Sequence, residues 1–154
     1  MNYWLLKSEP DTFGFTDLLM SPRKTTRWDG VRNYQARNFL RDKFRPDDLA
    51  FFYHSSCKTP AIMGTIKIVR AGYPDPTAFD PTSPYYDPKS NMNEPRWFAV
   101  DVQAAETFAT PVTLAELKRH DALRDMLLLR RGNRLSVTPV TVKQWRYIMS
   151  LAGH

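Results

Sequence analysis

The chain has 154 residues, of which 42% are hydrophobic and 25% charged, and these proportions exclude a disordered chain, a collagen and a coiled coil. No apolar run approaches the roughly 20 residues of a membrane helix, and the N-terminus lacks the basic leader and cleavage site of a signal peptide, so we expect a soluble, cytoplasmic protein. The length fits one domain that spans residues 1–154, which we expect to be a monomer. A net charge of +6 with 13% aromatic residues suggests nucleic acid as its partner.

The first half of the chain predicts two strands and two short helices. Tyr3–Lys7 predicts the first strand, and Phe15–Met20 predicts a short helix that Pro22 ends. Apolar residues recur every three or four positions after Asn33, which indicates one face of a second helix. Leu49–His54 predicts the second strand, with alternate side chains on opposite faces.

The second half of the chain predicts three more strands and two capped helices. Ile62–Val69 and Trp97–Val102 are rich in β-branched and aromatic residues and predict two of the strands. Thr113 and Thr141 each precede a Glu or Gln by three residues, which is the capping-box signature of a helix start. Between these helices, Arg134–Thr138 predicts another strand. Strands separated by short helices indicate an α+β domain around a small, strongly curved sheet or barrel.

A proline-rich segment interrupts this pattern. Six of the twelve prolines fall between Tyr73 and Pro95, and proline fixes its own φ and restricts its neighbour. The segment therefore cannot be a regular helix or a central strand. It also carries several aromatic residues, which are too many for a flexible linker. We expect a long, ordered loop folded over the domain, the kind of loop that often carries function.

Polar and aromatic side chains gather in three segments where packing alone does not require them. Lys7–Glu9 ends the first strand at its rim. Trp28–Arg37 contains a flat indole, a glycine that permits a sharp turn, an asparagine that can cap the next helix, and two arginines suited to phosphate, Arg32 and Arg37. Tyr53–Ser55 ends the second strand. These segments predict a binding site at one end of the sheet.

The sequence gives little indication of a disulfide, a metal site or a nucleophilic active site. Cys57 is the only cysteine, and the three histidines lie far apart, so we expect no disulfide, no metal and no cofactor. His54 and Ser55 are neighbours in a strand and face opposite sides, which is poor geometry for a nucleophile and its base. Lys7 and Glu9 share one face of the first strand, which leaves a general acid–base pair open.

Several long motifs resemble those of the EVE domain family, in the family's order and over nearly the whole chain. They are Tyr3–Pro10, Trp28–Asn38, Phe52–Ser55, Tyr85–Lys89, Pro95–Trp97 and Asn133–Val140. The resemblance implies a PUA-like fold, an α+β domain with a small, strongly curved mixed β-barrel flanked by short helices. It further implies a stand-alone bacterial member of a group related to the YTH domains, which read methylated adenine in RNA.

The resemblance also implies a function and a site. EVE domains are thought to bind modified bases, notably 5-methylcytosine and 5-hydroxymethylcytosine in DNA, in an aromatic pocket and without catalysis. Matched onto this chain, the pocket residues are Lys7, Ser8, Trp28, Gly30, Val31, Asn33, Tyr53, His54, Ser55, Asp87, Trp97, Arg134 and Ser136. The stacking faces would come from the aromatic rings and the base-edge contacts from hydroxyl, amide and backbone groups.

Three alternatives stay open at this point. A basic cleft accepts RNA as well as DNA, and the relationship to YTH domains suggests a reader of modified RNA. The ASCH group of PUA-like proteins resembles amidohydrolases that act on modified nucleosides, and Lys7 and Glu9 would then be the acid–base pair. The third alternative is an interaction module with a vestigial pocket.

Overall fold

A six-stranded mixed sheet runs through the computed structural model, which describes residues 1–153. Its strands pair in the order β2-β5-β4-β3-β1-β6, and all neighbours are antiparallel except β1 and β3. The strands are β1 (Tyr3–Ser8), β2 (Thr25–Trp28), β3 (Leu49–His54), β4 (Ala61–Pro74), β5 (Phe98–Thr113) and β6 (Val137–Val140). The α+β class with a mixed sheet is confirmed, but hydrogen bonds do not join the outer strands β2 and β6, so the sheet is not a closed barrel.

Short helices connect the strands. They are α1 (Pro10–Phe13), α2 (Phe15–Met20), α3 (Tyr34–Asn38), α4 (Leu114–Lys118) and α5 (Val142–Leu151), with a π-helical turn after α3 at Phe39–Lys43. The Asn33 side chain accepts a hydrogen bond from the Ala36 backbone and begins α3, as the sequence predicts. At α5, Thr141 and Gln144 form a reciprocal capping box. Among residues 1–153, no helix is long and apolar enough to cross a membrane.

The central strands are buried on both faces, because each face carries its own hydrophobic core. Leu6 and Phe52 belong to one core, and their neighbours Leu5 and Phe51 belong to the other. Such strands read as continuous apolar runs rather than as alternating ones. In the second core the Trp145 ring of α5 stacks on Phe51 with 4.0 Å between ring centres, which fixes the C-terminal helix against the sheet.

Three strand predictions are wrong in their extent, and β2 is missed altogether. Strands β4 and β5 are much longer than predicted, and repeated register shifts between them break the alternation that a sequence pattern relies on. The predicted strand at Arg134–Thr138 begins only at Val137, where pairing with Leu6 starts. Arg134–Ser136 is therefore a loop that leads into β6. Within the proline-rich segment, Tyr73 and Pro74 still belong to β4.

A buried carboxylate joins the first strand to the turn before β3. Asp48 is 2% exposed. Its Oδ2 accepts hydrogen bonds from Trp4 Nε1 at 3.1 Å and from the Arg45 backbone at 3.0 Å. Its Oδ1 accepts from the Asn2 backbone at 2.9 Å. Because all three donors are held by one side chain, Asp48 fixes the register in which β1 enters the sheet.

We predict that Asp48→Asn lowers the free energy of unfolding by about 1–3 kcal/mol, because the amide nitrogen then faces a backbone or indole N–H that has lost its acceptor. Urea unfolding followed by tryptophan fluorescence measures the change. Asp47→Asn is the matched control, since the Asp47 side chain is 80% exposed and should change stability by no more than about 0.5 kcal/mol. Equal effects of the two substitutions would remove this role from Asp48.

Candidate functional site

A cleft of about 580 Å³ opens where β1 and β2 end. It brings together nine of the residues that the sequence nominated: Lys7, Ser8, Trp28, Gly30, Val31, Arg32, Asn33, Arg134 and Ser136. Glu9, which the sequence left open as half of an acid–base pair, also lines it, together with six residues outside the predicted set: Thr12, Phe13, Thr26, Arg27, Asp29 and Tyr85. Its volume lies within the range of about 300–1,000 Å³ that is usual for small-ligand sites. The cleft is therefore the candidate site.

The segment at the end of β3 does not reach the cleft. Tyr53 is 4% exposed and lies in the second core, where burial raises the pKa of its hydroxyl to about 12. His54 Nε2 accepts a hydrogen bond from the Phe15 backbone at 3.0 Å, and the Ser55 backbone donates to the Ser8 carbonyl. None of these three residues lines the cleft. His54 and Ser55 instead hold the backbone of Phe15 and Ser8.

Three other predicted residues, Arg37, Asp87 and Trp97, also do not line the cleft. The Trp97 indole is 7% exposed, donates from Nε1 to Asp87 Oδ2 at 2.7 Å, and stacks on Tyr34 with ring centres 4.8 Å apart. The bond from Trp97 and a backbone bond from Lys89 lower the pKa of Asp87. Arg37 donates to the Arg96 carbonyl at 2.6 Å. Together they hold the end of the proline-rich segment against α3.

The carboxylate of Asp75 holds one wall of the cleft in place. This residue is fully buried, and its Oδ2 accepts from the Gly30 backbone at 2.9 Å and from the Arg32 guanidinium at 3.0 Å. Burial raises the pKa of Asp75, but hydrogen bonds from Thr77, Gly30 and Arg32 outweigh it and lower the pKa below its usual value. Asp75 was not among the predicted site residues, although an Asp that precedes a Pro is a recognisable helix-start signal.

Arg32 has no donor left for a phosphate in this conformation. Its guanidinium and Nε make five hydrogen bonds, which equal the five N–H groups of arginine. Two go to the Tyr85 carbonyl, and one each to Asp75, Thr77 and the Val31 carbonyl. Arg32 thus joins the loop after β2 to the proline-rich segment and fixes the cleft wall that both form.

Tyr85 is the most exposed aromatic ring of the cleft. It is 36% exposed, whereas Trp28 is 8% exposed and packs edge-on against Phe52. The ring of Tyr85 lies directly over Gly30, whose φ is +77°. A Cβ atom at Gly30 would lie 2.7 Å from that ring, so only glycine fits beneath it. Trp28 therefore offers little accessible surface to the cleft, and Tyr85 supplies the accessible ring.

Lys7 brings an unpaired charge into the cleft. Burial lowers the pKa of its half-buried ammonium below the ordinary 10.5, and within the described part of the chain no acceptor or carboxylate partners it. Lys7 and Glu9 do not share a strand face as expected, because β1 ends at Ser8 and Glu9 is the N-cap of α1. An ammonium in this position is available to donate to an acceptor on a bound molecule.

Two other groups that line the cleft complement Lys7. The Ser8 hydroxyl donates to the Phe13 carbonyl at 2.6 Å, so its oxygen remains free to accept. Asn33 Oδ1 accepts from the Ala36 backbone at 3.0 Å, so its amide nitrogen remains free to donate. Donors and an acceptor thus face a cleft that also has aromatic surface. Across residues 1–153, no group of three His, Cys, Asp or Glu side chains could hold a metal ion.

We predict that Gly30→Ala destabilises the protein more than Gly132→Ala does. Both glycines have positive φ, but nothing lies within 4 Å of a Cβ at Gly132. Backbone strain costs about 1–2 kcal/mol at either position, and only Gly30→Ala must also displace the Tyr85 ring. The extra loss of unfolding free energy in Gly30→Ala should disappear when Tyr85 is also replaced by Ala. A double-mutant cycle measured by chemical unfolding tests this. An excess that persists without Tyr85 would show that the ring does not rest on Gly30.

We predict a stability loss at mildly acid pH that depends on His54. Burial lowers the pKa of this imidazole below 6.5, and its Nε2 accepts a hydrogen bond only when unprotonated. Its contribution is therefore complete above 6.5 and is lost as the pH falls through the lowered folded-state pKa. Comparing unfolding free energies of the native chain and His54→Gln between about pH 7 and 5 tests this, because glutamine can accept the same bond without titrating. Equal slopes in both proteins would contradict it.

Known proteins share this fold and much of this sequence. The family model of the EVE domain matches residues 2–151. Thymocyte nuclear protein 1 of Mus musculus is 46% identical, and the match covers 97% of this chain and 73% of the mouse protein. A crystal structure from Pseudomonas syringae is 49% identical with a TM-score of 0.92, covering 97% of this chain and 99% of that one. The crystal structure of human THYN1 protein in complex with 5-methylcytosine containing DNA is 42% identical with a TM-score of 0.95, covering 100% of this chain and 99% of that one. The chain therefore belongs to the EVE domain family.

Proposed function

We propose that this protein binds DNA that carries a modified cytosine and holds the modified base in the cleft without transforming it. The observation that supports this most is the match to human THYN1, whose solved complex contains 5-methylcytosine DNA. The cleft lies in the part of the chain that the match covers. Its combination of aromatic surface and unpaired polar groups is what recognition of a base requires.

The unpaired groups of the cleft suit the hydrogen-bonding edge of cytosine. That edge offers an amino donor beside ring-nitrogen and carbonyl acceptors. The Lys7 ammonium and the Asn33 amide can donate to the acceptors, and the Ser8 oxygen can accept from the amino group. Tyr85 and Trp28 provide apolar surface for the ring and its methyl group.

Binding a base from a duplex requires that the base leaves the stack, which costs a few kcal/mol. The protein offsets this cost best if its own groups are already in place. Asp75 and Arg32 hold the wall of the cleft in a single arrangement, which is the preorganisation that this role needs. A methyl group on an apolar surface adds only about 1–3 kcal/mol, so we expect a preference of about 10- to 200-fold over unmodified cytosine.

One observation favours an enzyme as a second candidate. Lys7 has a lowered pKa and shares the cleft with the carboxylate of Glu9, as an acid–base pair of a nucleoside hydrolase would. Incubation with acylated and alkylated nucleosides, read by mass spectrometry, tests this alternative. If product forms with the native chain and not with Lys7→Met, the protein is a hydrolase and not a non-catalytic reader.

We predict that the native chain binds an oligonucleotide with one 5-methylcytosine at least tenfold more tightly than its unmodified copy. Tryptophan-fluorescence titration at two salt concentrations measures this, with 5-hydroxymethylcytosine and N6-methyladenine probes alongside, each as DNA and as RNA. Tighter binding of an RNA probe would show that RNA, not DNA, is the polymer that the protein reads. Equal affinity for every probe would overturn the proposal.

Lys7→Met should weaken binding of the preferred probe by about 10- to 150-fold, the loss expected for one charge-assisted hydrogen bond of about 1.5–3 kcal/mol. The loss should persist at the higher salt concentration, because the contact lies within the cleft. Lys143→Met is the matched control, since it removes the same charge from an exposed position on α5, outside the cleft. Equal losses in the two variants would show that Lys7 acts through net charge alone.

A further inference from the structure

A second groove of about 480 Å³ continues from one end of the cleft, and Asn33 and Arg134 line both. The groove runs between the start of α3 and the segment from Leu127 to Leu135. Arg130, Arg131 and Arg134 contribute to its lining, and no Asp or Glu does. Three positive charges in one groove without a carboxylate make a strongly basic surface beside the candidate base site.

These arginines differ from the others near the cleft, because their charges are not used within the protein. Arg27 pairs with Asp29, and Arg32 pairs with Asp75. By contrast, the side chains of Arg130, Arg131 and Arg134 are exposed, and they make no ion pair or hydrogen bond in the part of the chain that the structure describes. Like charges that line one groove repel one another, and a bound anion would relieve this repulsion.

The backbone that carries the arginines is held in a defined turn. Asn133 donates from its side chain to the Leu127 carbonyl at 2.9 Å and accepts from the Leu135 backbone at 2.9 Å. Its backbone donates to the Arg130 carbonyl, and Gly132 supplies the positive φ of +81° that the turn needs. The arginines therefore extend from a fixed support, which reduces the entropy lost when they bind a ligand.

We propose that this groove binds the phosphodiester backbone on one side of the base held in the cleft, with Arg130 and Arg131 as phosphate contacts and Arg134 at the junction. The inference rests on the proposed function for the identity of the polymer. Guanidinium groups bind phosphate oxygens in bidentate fashion, and successive phosphates along a strand match a row of them. The strand thus leaves the cleft past Asn33 and follows the groove toward Arg130.

The test is the salt dependence of binding in Arg130→Gln/Arg131→Gln, measured with the methylated and unmodified probes. Each phosphate contact contributes a slope of about −0.9 for a duplex, or −0.7 for a single strand, to a plot of log affinity against log salt. The double variant should therefore lose about 1.4–1.8 from the slope and bind both probes about 25- to 60-fold more weakly at 0.1 M salt. The ratio between methylated and unmodified probes should stay unchanged.

The control is Arg119→Gln/Arg146→Gln, which removes the same net charge from exposed positions outside both the cleft and the groove. It should leave the slope near that of the native chain. Equal slopes in the two double variants would overturn the groove as a phosphate site, even where the preference for methylcytosine is intact. A slope that falls only in the groove variant supports the groove, even where that preference is absent, so the two proposals fail separately.

Discussion

The arrangement of the cleft depends on one buried carboxylate. Asp75 lies at the start of the proline-rich segment, yet its acceptors hold the backbone of Gly30 and the guanidinium of Arg32, more than forty residues earlier in the chain. Arg32 in turn holds the carbonyl of Tyr85. A loop that would otherwise be free to move is thereby joined to the sheet at several points. These bonds hold the segment that carries Tyr85, the accessible aromatic ring of the site.

The same bonds explain why two conspicuous arginines are not the basic surface of the protein. Arg32 and Arg37 lie within the motif Trp28–Asn38, and both donate hydrogen bonds inside the chain. The unpaired charge lies instead at Lys7 within the cleft and at Arg130 and Arg131 beside it. Paired arginines shape the site, and unpaired cations remain available to a ligand.

Local signals were sufficient to predict β1, β3 and the helix caps, because an N-cap such as Asn33 or Thr141 is decided by its neighbours in sequence. The full extent of β5 was beyond prediction, since bulges break its alternation. The site was predicted in part. Strand alternation places Tyr53 in the second core, opposite the cleft, and the role of Asp75 arises from contacts across the fold that no local pattern encodes.

The position of β1 has a consequence for the order in which the cleft can form during folding. The first strand lies between β3 and β6, and the Lys7 backbone donates to the Ser136 carbonyl. Residues about 130 positions apart in the chain therefore meet at one wall of the cleft. The entropy of closing so long a loop is lost before such a contact can form. This wall of the cleft is therefore complete only when β6 has paired with β1.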